Sequence, residues 1–508
     1  MTTIEDVLAI QKTDNVLSAP TITTDTTNGL KSEVVVDAYA TLTISLYNST
    51  TSNNVYAYIT GLAINNNNAV FLLESDGATA YYPSNPSSNG TALSANCAIA
   101  LGAPGTTRNV TIPYIAGGRI WFCVNNTLTF LLNPGGSGPG LVEPSVSNTS
   151  DPNYYLRWDF CDFTYNSAQL YANISYVDFV CLPIALTLTS TSGATEHVGG
   201  LPSNGLDNVC NGLIAQNSSD GAGWNQLVVT NNGSNLRALS PSNGIVLNSS
   251  LFQNYWTNYI NSVWSRYVSI PLVIDTQASW GTVTGNTSND RTQLVFSGVG
   301  SFSKPAAADI FGANSGAFAA QATNTAELLN IGARLDAAFN RSTLLIDSDQ
   351  PDNEQVSTYY TNSVTNHYAR IVHAANVDGR GYAFPYDDVT PNGGVDQSGF
   401  VSDPTPSNFL VTVGGGNAYA KREIPRVQAK PKFVRRSVQW TEDVKEKVSE
   451  PTVQDFNQDL EKGEMHSKVF SEISRPSATP KISFPAPLER IFGKYLTVSQ
   501  PILPTSDN

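Results

Sequence analysis

The sequence predicts a mainly β protein that also carries a mixed α and β part. Three observations lead there. From Glu33 to about Leu188, short alternating apolar runs recur between clusters of turn-formers. Beyond that point the apolar spacing lengthens to that of amphipathic helices. After Tyr419 the chain becomes basic, charged and proline-rich.

In order, residues 1–32 are polar and Thr-rich and read as a flexible leader. Residues 33–190 form a β-sandwich or barrel domain. Its strands are EVVVDAYATLTISLYN, NVYAYITGLAI, AVFLLES, NVTIPYI, GRIWFCV and LTFLL, separated by NSTTSNN, NNNN, PSNPSSNG, GAPGTT and NPGGSGPG. Residues 191–416 form a mixed α/β domain whose last strands return to the first. In LDNVCNGLIAQ, the residues Leu206, Val209, Cys210, Leu213 and Ile214 lie on one helical face. LFQNYWTNYINSVWSRYV repeats the pattern with Phe252, Trp256, Tyr259, Ile260 and Val263, and Ser250 is the expected N-cap. SIPLVID and RTQLVFSGVG read as strands. TAELLNIGARLDAAF is a third helix, with Leu328, Ile331, Leu335 and Phe339 in phase. Residues 343–416 read as strands and loops. Residues 417–508 read as a disordered charged tail.

Charge narrows the partners. The 508 residues carry a formal charge of −14, and only 14% are charged, against roughly 25% in an ordinary soluble domain. Up to position 420 there are 13 basic and 30 acidic residues, and after it 15 and 12, so the body is −17 and the tail +3. Such a body repels a phosphate backbone, which argues against nucleic acid, whereas a neutral polymer feels no such field. No run of 18 apolar residues calls for a membrane span. MTTIEDVLAIQKTDNVLS does not read as a signal peptide, since acids stand where a basic region belongs. The uncharged polar composition nevertheless fits a secreted or cell-wall setting. The five cysteines, Cys97, Cys123, Cys161, Cys181 and Cys210, show no zinc spacing, and both disulfides and buried free thiols remain open. No phosphate loop, GxSxG elbow or HExxH is present. Paired carboxylates are the remaining chemistry, with no metal or cofactor required.

RWDFCDFTYNSAQLYANISYVDFV (157–180) holds Asp159, Asp162 and Asp178 in a strand-forming stretch. Alternation places Trp158, Phe160, Asp162, Thr164 and Asn166 on one face and Cys161, Phe163 and Tyr165 on the other, core-facing one. A polar strand face beside exposed aromatic rings suits sugar, and two carboxylates there suit glycoside hydrolysis. For each acid alone, the competing reading is a turn cap or a partner of Arg157.

This segment resembles the signature of the family 64 glycoside hydrolases, the laminaripentaose-producing β-1,3-glucanases. The similarity extends over GLVEPSVSNTSDPNYYLRWDFCDFTYN, LYANISYVDFVCLPIALTL, LPSNGLDNVC, KPAAADIFGANSGAFA and GYAFPYDDV, or roughly residues 33–416. The resemblance implies a thaumatin-like β-barrel domain beside the α/β domain, with an open groove between them. It implies endo-type, inverting cleavage of β-1,3-glucan polysaccharide to short laminari-oligosaccharides; a monomer is expected. Its acid and base, sixteen residues apart, fall on Asp162 and Asp178. Asp162 departs from the family's Glu and is one methylene shorter. Glu143 is a substitute acid to consider, although its place before Pro144 reads as a loop. The resemblance also places Thr164, Asn166, Tyr171, Ser175, Asp387 and Asp388 in the groove; a turn is the equal alternative for the last two. His373 reads as a buried, hydrogen-bonded histidine. Two other classes stay open: a non-catalytic thaumatin-like β-glucan-binding or cell-wall interaction protein, and a structural wall protein that works through its tail.

The spacing raises a geometric difficulty. A tight turn at NSAQ sets Asp162 opposite Asn173 and leaves Asp178 five residues, roughly 17 Å, along the strand. Inverting hydrolysis wants about 6.5–9.5 Å between carboxyls. A wider connection or strongly curved strands are therefore expected.

Overall fold

The computed structural model of the chain describes residues 41–136 and 138–415. The expected leader and charged tail lie outside the described residues. Two large open sheets carry the architecture. One has five strands in the order Thr195–Val198, Ile184–Ser190, Pro406–Val413, Leu42–Asn48, Thr107–Ile112. Pro406–Val413, near the end of the described chain, inserts between two early strands and runs parallel to Leu42–Asn48. The other sheet runs Phe400–Asp403, Leu170–Ile174, Arg157–Tyr165, Ile115–Val124, Val55–Ala63, Ala69–Leu73, Ala80–Tyr81, with Ile99–Ala100 also on Val55–Ala63. Both orders are linear, so the sandwich form of the expectation holds and the closed barrel does not.

Alternation explains why these strands bury what they do. Leu42, Ile44 and Leu46 point inward with Leu186, Leu188, Phe409, Val411 and Val413. Ala57, Ile59, Ile120, Phe122, Cys161, Phe163, Ala172 and Ile174 from the larger sheet join the same core. Gly118 lets the core close tightly, because a Cβ there would stand 2.5 Å from the Phe163 ring. All five cysteines are buried free thiols, so they act as small apolar core residues.

Three smaller sheets complete the fold. One is built on Leu272–Asp275, and one pairs Phe179–Val180 with Ser234–Leu239. The third orders Gly140–Val142, Leu131–Asn133 and Thr91–Ala92. The helix Gly205–Asp220 buries Leu206, Val209, Cys210 and Leu213, but Ile214 is exposed. Ala326–Arg341 starts where the Thr325 side chain accepts from the Leu328 N–H, and it buries Ile331, Leu335 and Phe339. The middle helix is shorter than its periodicity suggests. It spans Thr257–Arg266 after Trp256, because Phe252 has a φ of 61° and turns the chain, so Ser250 is not its cap. Helix His367–Ala375 lies in a region read as strands and loops. Its β-branched and histidine content hides it, and Asn366 starts it by accepting from the Ala369 N–H.

Candidate active site

Arg157–Tyr165 and Leu170–Ile174 form a tight hairpin, with Tyr165 opposite Leu170 and Asp162 opposite Asn173. The expected wider connection is therefore absent. The chain instead leaves the sheet after Ser175, bends at Val177 and Asp178, and enters Phe179–Val180 beside Ser234–Leu239. The bend takes Asp178 out of the strand that holds Asn173, so a count of residues along that strand does not give its distance from Asp162. Asp178 is held there by Ser240 and Asn243. Its carbonyl accepts from the Ser240 N–H at 2.9 Å and from Asn243 Nδ2 at 3.0 Å.

Arg119 bonds Asp162 and Glu143. It sits on the neighbouring strand as the register partner of Asp162. Its Nε donates to Asp162 Oδ1 at 3.2 Å, and its Nη1 donates to Glu143 Oε2. Burial works against the arginine's charge, but Glu143, Asp162 and Asp178 together outweigh it and raise its pKa. All three carboxylates thus lie within electrostatic reach of one guanidinium. That guanidinium rests on the rings of Phe160, 4.9 Å away, and Trp121, 5.4 Å away. Asp162 and Asp178 are both partly exposed.

Sequence reading missed Arg119 and Asn243. The signal for Arg119 was a lone cation inside the apolar run GRIWFCV, but its partners lie 24 and 43 residues away. The aromatic rings also differ from expectation. Trp158 and Phe160 are 1% and 2% exposed, sealed among Trp121 and Phe179, so they offer no sugar platform. Asp159, on the opposite face, is a buried anchor. Its carboxylate accepts from the N–H groups of Phe160, Cys181 and Leu182, while burial pushes its pKa up to about 7.

The expected groove residues divide. Thr164 and Tyr171 face each other across the hairpin, partly exposed, on the side of Asp162. Tyr171 stacks on Phe400 at 5.3 Å. Burial raises its pKa, and Asp388, Asp396 and Asp162 push the same way. Asp388 is partly exposed near Tyr171, and burial raises its pKa against the opposing Tyr382 hydroxyl. Asn166 is committed to the turn, where its Oδ1 accepts from Ala168 and Gln169. Ser175 is buried in a bridge to Tyr382. Asp387 is fully buried. It accepts from Arg341 at 3.2 Å, His373 at 2.9 Å and the Ala383 N–H at 3.0 Å, so it anchors its loop rather than facing a groove. His373 is the buried, hydrogen-bonded histidine expected, and its other nitrogen meets the Gly379 carbonyl. Among the described residues no His, Cys, Asp or Glu group is arranged to hold a metal, and no helix is long and apolar enough to cross a membrane.

Comparison with known proteins fits this arrangement. The family model described as β-1,3-glucanase, glycoside hydrolase family 64, matches residues 40–413. A glucan endo-1,3-beta-glucosidase of Cellulosimicrobium cellulans is 31% identical over 290 residues, which is 55% of this chain and 50% of that protein. The chain thus spans about half the length of that relative. A crystal structure of a laminaripentaose-producing β-1,3-glucanase in complex with laminaritetraose superposes with a TM-score of 0.64 at 30% identity, covering 73% of this chain and 98% of that one. A β-1,3-glucanase domain from Clostridium beijerinckii shares the fold, with a TM-score of 0.57 at 21% identity over 76% of this chain and 100% of that one. With its matched region running from the first described strand to the last, the chain belongs to the family 64 glycoside hydrolases.

Proposed function

We propose that the chain hydrolyses β-1,3-glucan by endo-type cleavage with inversion, releasing short laminari-oligosaccharides. The acid side of the scissile bond lies at Asp162, and Asp178 is the base that activates water. Thr164, Tyr171 and Asp388 contact the sugar. The observation that carries this reading is a pair of partly exposed aspartates, Asp162 bonded to Arg119 on a sheet strand and Asp178 at the bend that follows the next strand. Likeness to a solved enzyme holding laminaritetraose supports the substrate class. A thaumatin-like form of the β domain, a monomeric state and a secreted or cell-wall location belong to the same reading.

Incubation with laminarin tests it. Reducing sugar should accumulate, and NMR of the first product should show the α-anomer. Binding without sugar release would favour the glucan-binding alternative, which the short Asp162 side chain keeps in play. Release of the β-anomer would refute inversion.

A further inference from the structure

The acid side of the proposed glucanase site contains more than Asp162, and the inference below rests on that glucanase reading. Asp162 meets Arg119 at Nε, the nitrogen nearest the arginine stem, as expected for neighbours on adjacent strands. Glu143 arrives from another sheet, directly after the strand Gly140–Val142, and meets Nη1 at the tip of the guanidinium. Its side chain is 25% exposed, against 18% for Asp162. Glu143 also has the additional methylene, about 1.5 Å of reach, that Asp162 lacks. A shortfall of about 1 Å at the reacting atoms can cost on the order of a hundredfold in rate. Glu143 and Asp162 thus bond one guanidinium, Glu143 at its tip and Asp162 at its stem.

We propose that Glu143 is a further catalytic residue, the donor of the proton to the departing glycosidic oxygen. Arg119 is its positioning residue, and Asp162 fixes Arg119. Water attacks the anomeric carbon while Asp178 takes one of its protons. The bond from that carbon to the glycosidic oxygen breaks with its electron pair on oxygen, which takes the proton of Glu143. Solvent then reprotonates Glu143 and deprotonates Asp178, so one water is consumed per bond cut.

The full chain and its variants are assayed on laminarin and on 2,4-dinitrophenyl β-laminaribioside, whose phenolate leaves without a proton. Glu143→Gln should lower kcat on laminarin by about a hundredfold. On the aryl substrate it should stay within about tenfold of the parent. Glu143→Asp, which keeps the proton and shortens the reach, should lose turnover on laminarin alone; it carries the test if the Gln variant does not fold. Unchanged laminarin turnover in Glu143→Gln overturns the proposal, as does equal loss on both substrates at an unchanged melting temperature. A parent chain that cleaves neither substrate overturns the glucanase reading itself. An active parent with an indifferent Glu143 overturns only the assignment of the donor.

Discussion

The two ends of one sheet face differ sharply. On the paired strands Ile115–Val124 and Arg157–Tyr165, Trp121, Trp158 and Phe160 form a sealed aromatic end. A few residues along the same face, Arg119, Asp162 and Thr164 form a polar end that is partly open. Alternation assigns both sets to one side and says nothing about which end is covered. Coverage comes from Phe130 and Phe179, brought in by other segments. The aromatic end supplies a rigid floor, and the guanidinium lying on it orients the acids.

This contrast predicts different kinds of damage. Trp158→Ala should remove about 3–5 kcal/mol of stability in denaturant unfolding; a loss below about 1 kcal/mol would mean the aromatic end is not a packed floor. Asp178→Asn should slow laminarin hydrolysis by about a thousandfold and leave the melting temperature close to the parent's. Comparable damage to stability would erase the distinction between the two ends.

The adjacent pair Asp387 and Asp388 sharpens the same point, one sunk in the fold and one partly exposed. Burial disfavours both charges of the His373–Asp387 pair, but mutual attraction prevails, raising the histidine pKa and lowering that of the aspartate. The aspartate's contribution is full above its ordinary 3.8 and is lost as pH falls through its lowered folded value. The histidine's contribution is full below its ordinary 6.5 and is lost as pH rises through its raised folded value. Asp387→Asn should therefore cost about 3 kcal/mol near pH 5 and less near pH 9. Melting temperatures of both proteins across that range check the sign, and a larger loss at pH 9 would contradict it. The smallest effect is expected for Thr164→Ala, about 1 kcal/mol in laminarin binding with stability unchanged. Equilibrium binding to the polymer measures it, and a loss confined to melting temperature would place Thr164 in the fold alone.

Local pattern was enough to place most of the scaffold. Alternation marked GRIWFCV, LTISLYN and RWDFCDFTY as strands, and the 3.6-residue period marked the helices at 205–220 and 326–341. It overextended the helix ahead of Thr257, because one left-handed residue, Phe252, breaks it without disturbing the apolar spacing. The tight hairpin at NSAQ, with Asp162 opposite Asn173, went against the expected wider connection, because strand spacing carries no sign of the bend at Asp178.

The sequence by itself determined the short strands and the helical faces, because these depend on neighbours in the chain. Only the tertiary structure decided that Asp178 swings out at a bend, that Asp387 is buried while Asp388 is not, and that Arg119 meets Glu143 as well as Asp162. Those outcomes depend on sheet order and on which segment covers which face. Both are set by packing between residues far apart in the chain, and periodicity along one segment carries no record of it.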